Sequence, residues 1–388
     1  MDLPVLRSRI DALDSQLVDL LNERAQVSIN IGLAKRKTPD AENNNELNNG
    51  NNAITNSNTN SEHVHQPARE IKVYERVKRL NHGPLADGAI EAIYREIMSA
   101  SISLQRQITV AFLGPRGSYT AQVAQLRFGD SVAYSDLPQI PDVIQAVSSK
   151  TVTYGVVPIE NSTMGNVDAT LDSLVKATRN ETNGGTVRIR AEHYLPIHHC
   201  LLSKCSEKSQ IKKVYSHAQS IGQTSQWYET NLKGIERIAV SSNSAAAVLA
   251  SKEVGAAAIC GEQCAEMYEL HVIERNIEDK KNNTTRFFIL GDKCEPPSGN
   301  DKTTAYFTVD HRKPGALVDA LNVLKIHQIN LTKMDSRPSG GVAWNYFFFV
   351  EFTGHYADEN VSNALKEMEA YCLLITVLGS YPDQGPKQ

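Results

Sequence analysis

The residues best suited to chemistry on an anion lie in Asn283-Thr284-Thr285-Arg286-Phe287, which runs directly into Phe288-Ile289-Leu290-Gly291. A hydroxyl and a guanidinium at the mouth of a buried strand make a site for a carboxylate, because a guanidinium pairs with one bidentately. Taken alone, the segment reads first as a loop whose threonines cap a turn. Further polar clusters precede it. Gly114-Pro115-Arg116-Gly117-Ser118 follows a β-rich run and leads into a helix, where an anion meets free backbone N–H groups. It lacks the Gly-Lys-Ser/Thr ending of a nucleotide phosphate loop, so a carboxylate is the better guest. Asn161-Ser162 and Ser216-His217 read either as local caps at strand ends or as site groups. His198 and His199 read as packed or exposed strand residues rather than a base or ligand.

An α/β layout must position these groups. Gln107 marks a change from helical period to short β-rich runs, and 108–113, 155–159, 188–202, 213–216, 256–260 and 286–290 read as strands. Ahead of them, residues 5 to 36 contain no proline and only Gly32 as glycine, so one long helix is expected. Leu6, Ile10, Leu13, Leu17 and Leu20 form its apolar stripe, and continuing that stripe at ~100° per residue lands on Arg24, Ser28, Ile31 and Lys35. Two cations thus fall on the face that packing should bury. They either snorkel to solvent or line a pocket between helices for a carboxylate-bearing ligand. Residues 38–66 are asparagine-dominated, too poor in apolar groups to offset ordering, and read as a disordered insertion. Helical spacing resumes after Pro67 through Arg69, Glu70, Val73, Val77 and Leu80. A third helix, 86–107, carries Ile90, Ile93, Ile97, Ser101 and Leu104 on one face, with Gln105 following Ser101 by one turn.

Beyond a linker at 292–302, with Pro296-Pro297-Ser298-Gly299, come a strand at 303–309, a helix at 315–327, strands at 330–336 and 344–352, a helix at 358–371 and a strand at 375–378. That βαββαβ order is ferredoxin-like. Domains are therefore expected at 1–107, 108–291 and 303–388. The 388 residues carry a formal net charge of -4 with both signs mixed, which leaves no electrostatic footprint for nucleic acid or an anionic membrane and favours small-molecule chemistry. No apolar run reaches membrane-span length, and Met1-Asp2-Leu3-Pro4 is neither a basic signal start nor an arginine-rich transit peptide, so a cytoplasmic protein is expected. The six cysteines lack paired CxxC spacing; they are read as small buried apolar residues, with no metal and no cofactor.

In order along the chain, Gly114 to Thr120, Val157-Pro158-Ile159-Glu160-Asn161-Ser162, His199-Cys200-Leu201-Leu202, Ser216-His217-Ala218-Gln219 and Thr285-Arg286-Phe287 resemble prephenate dehydratase. The residues before them look like the small all-helical chorismate mutase. The Leu-Arg near the start matches at Arg7, the Glu-Arg at Arg24, the Gly-x-Ala-Lys at Lys35, the Arg-Glu at Arg69 and Glu70, and the Ser-x-x-x-Gln at Ser101 and Gln105. Pro314-Gly315-Ala316-Leu317 and Asp335-Ser336-Arg337-Pro338 resemble the regulatory ACT domain. Together the chain resembles the bifunctional chorismate mutase/prephenate dehydratases, except over 38–66.

The resemblance implies an all-α mutase domain, an α/β two-lobed dehydratase domain of the periplasmic-binding-protein-like kind with substrate between its lobes, and an α+β ferredoxin-like ACT domain. Chorismate would be rearranged to prephenate, and prephenate would lose carbon dioxide and water to give phenylpyruvate. Arg7 and Arg24 would hold chorismate carboxylates, Glu70 its ring hydroxyl, and Lys35 with Gln105 its ether oxygen, with Arg69 and Ser101 in the same set. The mutase would be an intertwined homodimer or part of a larger homo-oligomer, Arg7 reaching the other subunit's site. In the dehydratase, Arg286 would anchor the pyruvyl carboxylate and Thr285 donate to the departing hydroxyl, in a relay with Ser118, Asn161 or Gln219. L-Phenylalanine would bind at Gly315, Ala316, Leu317, Asp335, Ser336 and Arg337 between paired ACT domains and inhibit. Five positions depart from the family pattern. Gln66 stands for an acid in a loop that closes over chorismate and points to a weakened mutase. Ala218 stands for a proline, Cys260-Gly261 for a small Gly-Ser pair, and Asp335 for a glutamate. The rivals are an arogenate dehydratase and a non-catalytic phenylalanine sensor.

Overall fold

The structure, a computed structural model, describes residues 2–37, 67–179, 186–339 and 344–385. The asparagine-rich insertion with Gln66, and the side chain of Lys35, lie outside what is described. Two compact units are present, one of residues 1–108 with 128–133 and one of 109–127 with 134–388.

The first unit is helical: α1 (Leu3–Lys37), α2 (Pro67–Leu80) and α3 (Asp87–Gln105), with α3 packed on both others. At 1.5 Å per residue α1 is about 52 Å long and α3 about 28 Å, so α1 outruns its partner. Its second half turns Arg24, Ser28 and Gly32 inward, and a Cβ on Gly32 would come within 3.1 Å of Gln105 Cγ. Glycine is what lets the two helices approach there. The first half has no partner within the described chain. Leu6, Ile10, Leu13, Leu17 and Leu20 are 41 to 63% exposed, contrary to the burial their spacing predicts.

The second unit opens with β1 (Thr109–Leu113), α4 (Tyr119–Phe128), β2 (Ala133–Leu137), α5 (Ile140–Ser148), β3 (Tyr154–Asn161), β4 (Gly165–Asn166), α6 (Asp168–Arg179) and β5 (Arg188–Pro196). The chain then crosses to a second lobe. Its elements are β6 (Cys200–Ser203), β7 (Lys213–His217), α7 (Ala218–Gln223), α8 (Ser225–Asn231), β8 (Glu236–Val240), α9 (Asn243–Lys252), β9 (Ala256–Cys260), α10 (Gln263–Met267) and β10 (His271–Glu274). It returns as β11 (Thr284–Gly291), which inserts antiparallel between β3 and β5, giving sheet orders β2-β1-β3-β11-β5 and β10-β6-β9-β7-β8. The single strand expected at 188–202 is thus two strands in different sheets. At the crossing, the buried His199 N–H donates to Glu278 Oε2 at 2.9 Å, which satisfies a backbone group that no ladder reaches. The sequence reading also missed β2, β8 and β10. All three sit at sheet edges, and their half-exposed, polar-rich segments give no apolar run to read.

The third part follows as β12 (Asp301–Thr308), α11 (Ala316–Ile326), β13 (Leu331–Pro338), β14 (Tyr346–Thr353), α12 (Glu359–Met368) and β15 (Leu374–Pro382), in sheet order β13-β14-β12-β15. Asp301 and Lys302 are buried strand residues, so the linker ends sooner than its composition suggests. One face of this sheet carries α11 and α12 over Ala305, Phe307, Val350 and Phe352. Its other face packs Tyr306, Phe347, Phe349 and Tyr381 into the core of the first lobe, against Ile189, Phe288 and Leu290. The regulatory-type sheet and the catalytic-type sheet therefore share one core. Where β15 crosses β5, a Cβ on Gly379 would lie 2.2 Å from the carbonyl oxygen of Ile189. Backbone cannot give way as a side-chain end can. Gly379→Ala is expected to cost roughly 1–3 kcal/mol or more of stability by overpacking, read as a lowered urea midpoint against wild type.

Candidate active site

Thr285 is at the start of β11, just after the chain returns from the second lobe, and lies directly opposite Asn161 at the end of β3. Asn161 Nδ2 donates to Thr285 Oγ1 at 2.9 Å and to Asn283 Oδ1 at 2.8 Å. The amide cannot be turned over, because its Oδ1 accepts the backbone N–H groups of Thr163 and Met164, each at 3.0 Å, and the Thr163 hydroxyl at 2.7 Å. A threonine hydroxyl that accepts from a fixed amide keeps its own proton to donate, and the accepted bond polarises it toward donation. Of the three groups expected near Thr285, Asn161 is the one bonded to it. Asn283, part of the same cluster, keeps a buried Nδ2 without a partner.

Two other candidates are placed elsewhere. Ser118 Oγ donates to Leu113 O at 3.1 Å and accepts from Ala121 N at 3.2 Å, so it caps α4 and makes no bond to Thr285. Gln219 is exposed in the first turn of α7 on the second lobe. The loop before α4 is clasped by the second lobe: Ser244 Oγ donates to Arg116 O at 2.5 Å and Gln263 Nε2 to Gly117 O at 3.1 Å. Gly117, at φ 83°, leaves room for Cys264 and Ser244, 3.1 Å from where its Cβ would be. His199 is buried between Tyr119 and Gln223, bonded at 2.9 and 2.8 Å, and burial holds its pKa below the ordinary value, so it is a packed residue.

Arg286 corrects the sequence reading. Successive strand residues point to opposite faces, so beside Thr285 its side chain turns toward the shared core. Nε donates to Glu192 Oε2 at 2.8 Å, Nη1 to both Glu351 oxygens at 2.9 and 2.8 Å, and Nη2 to Tyr381 Oη at 3.1 Å. The residue is 4% exposed. Burial opposes its charge, but Tyr381, Glu351 and Glu192 outweigh it and hold the guanidinium above its ordinary range. With every nitrogen engaged by protein, it has no free edge for a substrate carboxylate.

In the helical unit Arg24 Nη1 donates to Ser101 Oγ and, at 3.5 Å, to Ile97 O. Burial lowers its pKa, and no carboxylate pairs with it among the described residues. Gln105 packs on Gly32 and Glu70 is buried at 7%, whereas Arg7 and Arg69 are exposed. The effector candidates divide. Gly315, at φ 83°, precedes α11, Ala316 is buried and Leu317 packs on the helix-covered core. On β13, Asp335 accepts from Asn166 Nδ2 at a short contact, and Arg337 pairs with Asp172 at 2.9 Å and Asp168 at 2.6 Å. Those two side chains therefore face the dehydratase-type lobe, while Ser336 between them is exposed on the opposite face.

The fold and these sites define a two-lobed α/β enzyme joined to a ferredoxin-like domain and preceded by a helical domain. Family models described as Chorismate mutase type II, Prephenate dehydratase and ACT domain match residues 6–106, 110–295 and 307–370. A bifunctional chorismate mutase/prephenate dehydratase of Aquifex aeolicus is 38% identical over 98% of this chain and 98% of its own length. The one from Pseudomonas aeruginosa is 35% identical over 98% and 97%. The crystal structure of prephenate dehydratase from Arthrobacter aurescens in complex with L-Phe superposes with a TM-score of 0.64 at 28% identity, covering 72% of this chain and 92% of that one. The chain belongs to the family of bifunctional chorismate mutase/prephenate dehydratases.

Sequence reasoning missed Glu192, Glu351 and Lys333. One signal was present: Glu351 is a lone acid inside the aromatic strand Tyr346 to Phe352, and an acid there must be paired. Beside the catalytic strand, burial first and the Arg127 cation second push His193, which pairs in register with Phe287, down to about 4. Below its ordinary 6.5 the unfolded chain binds a proton that the folded chain refuses. Stability should fall as pH drops from 6.5 toward about 4, by up to ~1.4 kcal/mol per unit for this histidine, with His199 adding in the same direction. Urea titrations at several pH values should show a shallower slope for His193→Gln.

Proposed function

We propose that the chain converts chorismate to prephenate in its helical unit and prephenate to phenylpyruvate in its two-lobed domain, with L-phenylalanine inhibiting through the ACT domain. The observation that carries the dehydratase reading is the Asn161–Thr285 bond, which leaves a polarised hydroxyl free to donate. Loss of carbon dioxide sends an electron pair into the ring as the ring hydroxyl departs, and the product is aromatic. The protein's task is alignment and a donor for the leaving oxygen. Thr285 is that donor, Asn161 orients it, and Ser118 and Gln219 contribute only if substrate binding brings the lobes' groups together.

The mutase step is pericyclic and needs no nucleophile, only a clamp for a dianion and a donor near the ether oxygen. Arg24, half-buried and without a carboxylate partner among the described residues, supports the clamp, joined by Ser101, Glu70, Gln105 and Lys35. The exposed apolar first half of α1 supports a homodimer in which a second copy covers it and receives Arg7. No helix among the described residues is long and apolar enough to cross a membrane, in keeping with a cytoplasmic enzyme.

Full-length protein given chorismate should release phenylpyruvate, and less of it when L-phenylalanine is added. Thr285→Val should stop at prephenate with the mutase rate retained; a variant that keeps most of its dehydratase activity overturns the donor role. Supplying arogenate in place of prephenate tests the rival substrate, and turnover of neither would favour the sensor.

A further inference from the structure

Arg286 and Glu160 are chain neighbours of Thr285 and Asn161, and both are held by the regulatory sheet. Glu351 of β14 binds Arg286 Nη1 through both oxygens, and Lys333 of β13 binds Glu160 Oε2 at 2.7 Å. Glu160 itself lies 3.9 Å from Arg286 Nη1, so the two contacts join into one cluster. Behind it, Lys302 of β12 pairs with Glu192 at 2.9 Å and Asp383 at 3.0 Å, and Thr304 bonds Tyr381 Oη at 2.6 Å. Strands β13, β14 and β15 of the regulatory sheet thus contact the strand pair that bears the candidate donor and its orienting amide, and β12 holds the Arg286 partners Glu192 and Tyr381.

We propose that Arg286 is a positioning residue rather than a substrate ligand, and that Glu351 and Lys333 of the regulatory sheet set the placement of Thr285 and Asn161 through Arg286 and Glu160. The inference rests on the donor role of Thr285 given above and adds the route by which that role is regulated. Three observations carry it. Every Arg286 nitrogen is already bonded to protein, which removes it as an anchor. Its carboxylate partners come from two different domains, so their relative position fixes the guanidinium. On the inward side of β13, Lys333 bonds Glu160, Asp335 bonds Asn166 and Arg337 bonds Asp168 and Asp172, and these partners lie on the 160–172 segment that contains Asn161. Met334 and Ser336 alternate onto the other face of β13, where they are exposed to an effector. A displacement of β13 or β14 is therefore transmitted to both members of the Asn161–Thr285 pair, and misplacement by about 1 Å can cost on the order of 100-fold in rate.

The experiment compares full-length wild type, Thr285→Val, Glu351→Gln and Lys333→Gln, with kcat and KM for prephenate, the mutase rate and the L-phenylalanine concentration giving half inhibition. Glu351→Gln keeps the shape and removes one charge of the grip, and should lower kcat by roughly tenfold with KM within about twofold, the pattern of a lost transition-state alignment. Lys333→Gln, at a partly exposed pair, should shift half inhibition by about fivefold or more with the same KM, a coupling change of ordinary allosteric size. Both should keep the wild-type mutase rate. A raised KM with kcat retained in Glu351→Gln would mean that Arg286 contacts substrate, and unchanged kcat and inhibition in both variants would mean that the contacts are structural only. Either result overturns the proposal. If Glu351→Gln fails to fold, the Lys333→Gln inhibition curve decides. Failure of wild type to consume prephenate, or activity in Thr285→Val, would instead sink the underlying reading.

Discussion

A guanidinium buried to 4% exposure must be surrounded by counter-charge, and that requirement shapes the centre of this molecule. Arg286 cannot be satisfied by its own sheet alone. Glu192 comes from the neighbouring strand, but Glu351 and the Tyr381 hydroxyl come from the ferredoxin-like domain. The ion cluster is thus a docking device as well as a charge sink. Removing one partner of a buried pair typically costs about 3–5 kcal/mol, against less than about 1 for an exposed one. The apolar contacts around the cluster, Phe288 on Tyr381 with ring centroids 5.9 Å apart among them, exclude water and keep the pairing strong.

From that constraint the division of labour along β11 follows. One face of the strand belongs to the shared core through Arg286, Phe288 and Leu290, while the residue before Arg286 belongs to the polar cluster with Asn161. The Thr285 hydroxyl accepts from an amide that is itself held in place. Asn161 is restrained because its carbonyl oxygen is fixed by the turn at Thr163 and Met164. Each member of the pair sits beside a residue bonded to the ferredoxin-like domain, Arg286 to Glu351 and Glu160 to Lys333.

The types and order of the elements that bury apolar runs were legible in the sequence, and the polar residues Thr285 and Asn161 at the mouths of two such runs are bonded to each other in the structure. The direction of Arg286 was not. Adjacent strand residues face opposite ways, and which face meets substrate depends on what covers the other, which only the tertiary packing decides. For the same reason Asp335 and Arg337 were grouped with Ser336, although alternation separates them. Ser118 reads as a relay member by resemblance, and its local hydrogen bonds place it as the cap of α4. The edge strands β2, β8 and β10 lacked an apolar signature, and the stripe on the first half of α1 looked like core because sequence periodicity cannot say whether the covering surface belongs to the same chain.

The position of β11 in its sheet also governs how the molecule comes into being. Its neighbours β3 and β5 are complete by Pro196, yet the strand that closes the gap between them ends at Gly291, with the whole second lobe in between. During synthesis the first lobe must wait with its central slot empty while that lobe emerges, and the pairing it awaits is non-local and intrinsically slow. The helical unit needs no such delay, since its contacts among the described residues fall within the first 133 positions. Nascent chains halted before β11 would therefore carry helices able to fold beside a lobe with two unzipped strand edges, the kind of surface that chaperones shield.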